Sequence, residues 1–69
     1  MKIYYNTTQD LLHIVFRESK QVHNERYNDD IVFDVDSNNK VVGMEILEAS
    51  TYLDAQDIKN VKVTEEKAA

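Results

Sequence analysis

Residues 31–47, IVFDVDSNNKVVGMEIL, constrain the fold of this chain more than any other segment. Apolar residues alternate with polar or small residues on both sides of the polar stretch SNNK. This alternation is typical of β-strands with one face towards a core, and Asn tolerates the positive φ of a tight turn. The block therefore predicts an antiparallel hairpin. Gly43, the only glycine of the chain, predicts a bulge or a close backbone approach in the second strand.

Shorter runs of β-forming residues precede the hairpin, and the pattern changes after it. Strands are expected over residues 3–5 and 11–16, with an edge strand or a loop over residues 21–27. Ser50 or Asp54 can cap a short helix, and Val61 and Val63 permit a brief terminal strand. The sequence thus predicts one α+β domain over residues 1–63, with a flexible tail over residues 64–69. Its architecture is a four- or five-stranded, mainly antiparallel β-meander with a short C-terminal helix.

The chain is short for a stable domain, since it has 69 residues and no Cys. A domain of this size buries only about 60% of the surface that its unfolded chain exposes, so small domains usually need a further means of stabilisation. Disulfides are excluded, and His13 and His23 are too few for the usual structural zinc site, so no metal or cofactor is expected. Self-association remains, and we predict a homodimer.

The charge balance is acidic, with 13 Asp and Glu against 8 Lys and Arg and a net charge of −5. Nucleic-acid binding needs clustered cations, whereas the basic residues here are scattered, so direct binding to nucleic acid is not expected. The acidic surface suits a basic protein partner, or it simply keeps a small protein soluble. No run of about 18 apolar residues is present to cross a membrane. Because the absence of Cys also fits a reducing compartment, we expect a cytoplasmic protein.

Few side chains fit a catalytic site. Each Ser lies at a predicted turn or element end without a glycine-rich elbow, which argues against a nucleophilic enzyme. His13 and His23 could form an acid–base group with Glu25 or Arg26, as a small metal-independent nuclease would require. That nuclease stays open as an alternative, although surface histidines are the simpler interpretation.

Asp34, Asp36 and Asn38 form a D-x-D-x-N run, with Glu45 at the twelfth position, which resembles the ligand spacing of an EF-hand calcium loop. The sixth position, however, is Asn39 where the motif requires Gly, and the flanking segments are predicted strands where it requires helices. The pattern therefore favours the solvent-exposed face of a hairpin over a calcium site.

Two segments carry a resemblance to a known family. KIYYNTTQDLLHIVF resembles a K-I-x-Y-D-x-x-x-D-x-L-Y-I opening, and DDIVFDVDSNNKVVGMEILEAS resembles D-G-[IV]-[IV]-x-D-x-D-x-x-G-x-[IL]-V-G-[IL]-E-I-L-x-A-S. Together they resemble domain-of-unknown-function family 2283, of bacteria and their viruses, over residues 2–53. The chain departs from that pattern at four positions: Asn6, His13, Asp30 and Asn39. The resemblance implies a small β-rich protein without established catalytic activity. Because members of that family are often encoded beside small toxin-like genes, it also implies an antitoxin or another partner-binding role.

The function expected from the sequence is a non-enzymatic, homodimeric protein-interaction module that inhibits or regulates a partner. An antitoxin and a viral inhibitor of a bacterial defence protein fit equally well, in a bacterial or phage-infected cell. A structural subunit of a larger assembly is a further alternative. Tyr is enriched in binding hot spots, and polar strand residues are available for a partner. The candidate partner-binding residues are Tyr4, Tyr5, His13, Asp34, Asp36 and Glu45.

Overall fold

The computed structural model describes residues 1–60. Five strands precede two short helical elements: β1 (Lys2–Asn6), β2 (Leu11–Val15), β3 (Val22–Arg26), β4 (Ile31–Asp36), β5 (Val41–Leu47), a 3₁₀ helix (Ala49–Thr51) and α1 (Ala55–Asn60). The predicted terminal strand, the predicted tail and the predicted domain end at residue 63 lie outside the described residues. In the described part of the chain, no helix has the length and apolar character needed to span a membrane.

The strands form one antiparallel sheet in the order β1-β2-β5-β4-β3. The sheet consists of a β1–β2 hairpin and a three-stranded β3–β4–β5 meander. The pairing of β2 with β5 joins them. The connection from β2 to β3 therefore crosses from one half of the sheet to the opposite edge. The predicted α+β class, with an antiparallel meander and a short C-terminal helix, is confirmed. The segment that was open between an edge strand and a loop contains β3, an exposed edge strand.

The turn between β4 and β5 shows why the central hairpin forms where the sequence predicts it. Asn39 adopts a left-handed conformation with φ 65°, which Asn tolerates better than most residues. The Asp36 carboxylate accepts hydrogen bonds from the backbone N–H groups of Asn38 and Lys40, both at 2.9 Å. A register shift between Asp34 and Val35 accompanies this turn. Sequence-local hydrogen bonds thus fix the hairpin end.

One side of the sheet, here called the apolar face, carries mainly hydrophobic side chains. Side chains alternate between the two faces along each strand, and the strand registers align these residues across β1, β2, β5 and β4. Only Leu12 and Val35 among them are buried, and the others are half-buried. Residues 1–60 therefore cover this face incompletely. Its members are Ile3, Tyr5, Leu12, Ile14, Ile31, Phe33, Val35, Met44 and Ile46.

The other side, here called the polar face, carries most of the polar side chains of the sheet. Asp34 is only 7% exposed and Asp36 only 4%. The expectation that these two residues lie on a solvent-exposed face of the hairpin is therefore wrong. Neighbouring strands and the β2–β3 connection surround them, which the local sequence of the hairpin does not reveal. Burying a carboxylate is costly unless it is hydrogen-bonded or paired, so both of these groups require partners within the sheet.

Candidate polar site at the centre of the sheet

Three side chains from three adjacent strands meet on the polar face. His13 on β2 lies directly opposite Glu45 on β5, and Asp34 on β4 lies opposite Gly43, two residues before Glu45 on the same strand. One nitrogen or oxygen of each side chain lies within 4.8 Å of the corresponding atoms of the other two. We call His13, Asp34 and Glu45 the central triad. Each member is positioned by a paired strand, so the sheet itself holds the cluster together.

Asp34 is the most buried member of the central triad, and both of its oxygens have partners. Its Oδ1 accepts a hydrogen bond from Asn24 Nδ2 at 2.7 Å. Its Oδ2 lies 3.0 Å from His13 Nε2. Asn24 comes from the edge strand β3, so four of the five strands contribute to the arrangement. The Asn24 amide fixes the orientation of the carboxyl group and directs the second oxygen towards His13.

Gly43 makes the approach of Asp34 to His13 possible. A Cβ atom at this position would lie 2.9 Å from Asp34 Oδ2 and 2.7 Å from the Ile14 carbonyl oxygen. Both distances are shorter than a non-bonded contact to carbon allows, so any side chain would displace the carboxylate or the backbone. Gly43 also lies beside the register shift of β4 and β5. The structure therefore contains both the predicted bulge and the predicted close approach at Gly43. Together they make room above β5 for the Asp34 carboxylate.

A cleft of about 130 Å³ opens beside the central triad. His13 and Asp34 line it together with Val15, Val22 and Val42, and the β2–β3 connection supplies Arg17, Glu18 and Ser19. The His13 side chain is 29% exposed. The triad is therefore reachable from solvent although Asp34 itself is buried.

Asp36 lies on the same face but is engaged elsewhere. Arg17 Nη2 donates a hydrogen bond to its Oδ2 at 2.5 Å, while Oδ1 accepts from the turn backbone. The backbone N–H of Lys40 is the main cause that holds the pKa of Asp36 below its ordinary value; burial acts in the opposite direction, and the N–H of Asn38 and the Arg17 charge lower the pKa further. Asp36 thus closes the turn and anchors the β2–β3 connection. The EF-hand spacing does not correspond to a common set of ligands, because Asp36 points to the turn while Asp34 and Glu45 converge through strand pairing.

The two candidate tyrosines lie on opposite faces. Tyr4 is the register partner of His13, and their rings are 6.1 Å apart at a tilt of 36°. Tyr5 belongs to the apolar face and donates a hydrogen bond to Asp10 Oδ1 at 2.6 Å. The strand pairings therefore bring together five of the six candidate partner-binding residues on the polar face and leave Tyr5 outside.

The two histidines do not meet. His23 is the register partner of Val35, which belongs to the apolar face, whereas His13 lies on the polar face. His23 Nε2 lies 2.9 Å from Glu25 Oε2 in an exposed pair on the edge strand. The sheet separates the two imidazoles, so the described geometry gives no support to a joint acid–base group.

Sequence analysis missed Asn24 and Arg17 as members of this site. Both interact with carboxylates that are distant in sequence, Asn24 with Asp34 and Arg17 with Asp36. Only the β3–β4 register and the path of the β2–β3 connection bring these pairs together, and no local pattern encodes either. The single glycine, Gly43, within the mainly apolar strand β5 was the one available signal.

The comparisons with known proteins agree with the family resemblance. Residues 2–50 match the model of a family described as "Protein of unknown function (DUF2283)". The matched region contains all five strands, the central triad and the start of the 3₁₀ helix. No curated protein and no solved structure matches the chain.

Proposed function

Because the chain belongs to the DUF2283 family, which is defined without a function, we propose its role from its surfaces. The protein is a small non-enzymatic interaction module that pairs with a second copy through the apolar face. As a dimer it holds a basic protein partner and inhibits or regulates it. The incompletely covered apolar face is the observation that carries this proposal.

The described core is small. Five hydrophobic residues are buried, and no large side chain among the described residues is less than 2% exposed: the five are Leu12, Val32, Val35, Val42 and Ala49. By contrast, seven side chains of the apolar face are only half-buried. Burial of apolar surface contributes about 25 cal/mol per Å². Covering this face would therefore add a contribution that the single sheet does not obtain from residues 1–60.

A second copy is the occupant that best fits the apolar face. Among the described strand residues of this face, the ionisable side chains His23 and Glu25 lie on the exposed edge strand, and the Asp10 carboxylate reaches Tyr5 only from the β1–β2 turn. Two such faces can therefore pack together without burying charge in the middle. Twofold association is self-complementary, and sheets packed face to face form a stable sandwich about 10 Å thick. The chain provides no disulfide as an alternative, since it has no Cys.

Self-association can be tested by placing a charge in the middle of the apolar face. Met44 lies half-buried on the central strand β5, so we expect Met44→Lys to convert a dimer into a folded monomer. Val22→Lys is the matched control, because Val22 is 50% exposed on the edge strand and belongs to the other face. Sedimentation velocity over nanomolar to micromolar concentrations gives the oligomeric state, and circular dichroism gives the fold. A wild-type chain that stays monomeric throughout would overturn the proposal, including the case in which residues 61–69 cover the face.

The distribution of charge supports a basic partner. Strand directions place the turn after β1, the turn before β4 and the segment after β5 at the same end of the sheet. Here this is called the acidic end, and its acidic residues are Asp10, Asp29, Asp30, Glu48, Asp54 and Asp57. The pKa of Tyr52 is raised, chiefly by its hydrogen bond to Asp30 and by burial, and further by the charges of Asp30, Glu48 and Asp29. The charges of Asp29, Asp30 and Glu48 therefore act together on the Tyr52 hydroxyl.

Four basic side chains lie at the opposite end of the sheet, where two of them pair with carboxylates, Lys2 with Glu18 and Arg17 with Asp36. Lys2, Arg17, Lys20 and Lys40 lie there, on the first strand, on the β2–β3 connection and in the β4–β5 turn. Arg26 at the acidic end donates to the carbonyl oxygens of Asn28 and Asp29. Complementary charge raises association rates and fixes orientation. The acidic end is therefore the surface offered to a basic partner, in keeping with an antitoxin-like or viral counter-defence role in the cytoplasm.

The partner surface is tested by capture from a host lysate with matched variants. We expect one basic protein to be retained by the wild type and lost from Asp29→Asn/Glu48→Gln, because that variant removes two exposed charges of the acidic end. Glu18→Gln/Glu25→Gln removes two exposed charges elsewhere and serves as the control. Retention should weaken as salt rises, since exposed charges are screened. Equal retention by all three proteins would contradict a docking role for the acidic end.

A further inference from the structure

We propose that the central triad, His13, Asp34 and Glu45, binds one divalent transition-metal ion of the zinc class. The sequence analysis expected no metal, because two histidines and a broken calcium motif offered no recognisable set of ligands. The sheet changes this assessment by placing an imidazole and two carboxylates within 4.8 Å of one another. The inference is independent of the proposed dimer, since the triad lies on the polar face.

The donor atoms fit the chemistry of such an ion. One imidazole nitrogen with two carboxylate oxygens is a mixed set that Zn²⁺ accepts, whereas Ca²⁺ and Mg²⁺ prefer oxygen donors alone. Zinc bonds to these atoms are about 2.0–2.2 Å long, so ligand atoms around a tetrahedral ion lie about 3.4 Å apart. His13 Nε2 and Asp34 Oδ2 are 3.0 Å apart, and the remaining separations do not exceed 4.8 Å. The three ligand groups are therefore already near the spacing that a bound ion requires.

Residues around the central triad make hydrogen bonds of the kind that usually orient metal ligands. Asn24 donates to Asp34 Oδ1 and leaves Oδ2 as the oxygen directed towards His13. Such outer hydrogen bonds orient metal ligands and are part of a functioning site. Gly43 supplies the space over β5, because a Cβ atom would contact Asp34 Oδ2 at 2.9 Å.

Charge and access favour the same conclusion. Two carboxylates held close together repel each other, and a divalent cation compensates both charges at once. Asp34 is 7% exposed, so little water screens its charge. The cleft beside His13 and Asp34 gives an ion a route from solvent and leaves room for a water molecule as the fourth ligand. Three protein ligands with one open position form the usual arrangement of an accessible zinc site.

The experiment is a titration of the metal-free full chain with Zn²⁺, followed by calorimetry and by thermal unfolding. We expect one equivalent to bind for each chain and to raise the melting temperature. Co²⁺ gives a spectroscopic readout, since its visible absorption reports nitrogen and oxygen ligands in a low-coordinate site. Ca²⁺ and Mg²⁺ at the same concentration should neither bind nor stabilise.

Variants distinguish binding of the ion at the central triad from nonspecific binding elsewhere on the surface. Glu45→Gln and His13→Gln each remove one ligand, and we expect affinity for Zn²⁺ to fall at least tenfold, with loss of the Co²⁺ absorption. His23→Gln is the matched control, because His23 forms an exposed pair with Glu25 at 2.9 Å. The proposal fails if the wild type shows no saturable binding, or if binding survives both triad variants. If one triad variant does not fold, the other, compared with His23→Gln, decides the matter.

Discussion

At the scale of single residues, Gly43 has the clearest structural role. Its missing side chain lets the Asp34 carboxylate lie over β5 and reach His13. A glycine inside a strand ordinarily weakens it, because the unfolded chain loses more entropy on folding. Glycine is nevertheless required here, because any side chain would clash with the Asp34 carboxylate and the Ile14 backbone.

Gly43→Ala should destabilise the protein although Ala is the smallest possible change. The new Cβ would lie 2.7 Å from the Ile14 carbonyl oxygen, and that backbone atom cannot move freely within a paired strand. Forcing an extra carbon into a packed site costs about 1–3 kcal/mol. Urea denaturation measures the free energy of unfolding. Val41→Ala, at a position 49% exposed in the same strand, is the control and should change stability far less; an equal loss in both variants would contradict the steric argument.

At the scale of elements, Asp10 connects the β1–β2 hairpin to the segment after β5. Its carboxylate accepts hydrogen bonds from the Ser50 hydroxyl at 2.6 Å, from the Ser50 backbone N–H and from the Tyr5 hydroxyl. Its carbonyl oxygen accepts from the backbone N–H of Ala49 at 2.9 Å. The 3₁₀ helix is thereby tied to a turn 40 residues earlier in the chain. These contacts give Asp10, in the opening segment, and Ser50, at the end of the matched region, a shared structural role.

This connection makes stability depend on pH. The Ser50 hydroxyl, then the Tyr5 hydroxyl, hold the pKa of Asp10 below its ordinary value, with a smaller effect from the Ser50 N–H and an opposing effect of burial. A lowered pKa means that the ionised carboxylate is favoured in the folded chain. Its contribution to stability is present above the ordinary Asp pKa of about 3.9 and disappears as pH falls through the lowered value.

Asp10→Asn should therefore lower the free energy of unfolding at neutral pH, and its difference from the wild type should shrink below about pH 4. Denaturant titrations at a series of pH values measure both quantities. Asp29→Asn removes the same charge from the same end of the sheet without removing these three hydrogen bonds, so it is the matched control. If the Asp10→Asn deficit stayed constant down to pH 2, the hydrogen-bonded carboxylate would not be its cause.

At the scale of the whole molecule, one sheet divides two kinds of chemistry. The apolar face carries the hydrophobic surface of the proposed dimer, and the polar face holds the central triad. Most of the acidic side chains lie at one end of the strands. The proposed dimer, the proposed metal site and the proposed partner surface are therefore tested by variants in different parts of the molecule.

A dimer joined by the apolar face should melt at a temperature that depends on its concentration. A hundredfold dilution lowers the stability of a dimer by RT ln 100, about 2.7 kcal/mol per dimer or about 1.4 kcal/mol per chain. For a domain of this size that corresponds to a fall of roughly 5–10 °C. Circular dichroism or intrinsic Tyr fluorescence can follow the transition over the required range. An unchanged melting temperature on dilution would contradict the dimer, and Met44→Lys should show that unchanged behaviour from a lower starting value.

The sequence by itself determined four of the five strands and the class of fold, and it left β3 open between an edge strand and a loop. Period-two alternation, Asn39 in the turn and Asp36 beside it are local features, and local hydrogen bonds are enough to express them. The tertiary structure alone decided that β2 pairs with β5, that Asp34 is buried, and that His13, Asp34 and Glu45 converge while His13 and His23 separate. Those outcomes depend on which strands become neighbours and in which register. A shift of one residue moves a side chain to the opposite face, and no segment of this chain specifies such long-range pairing alone.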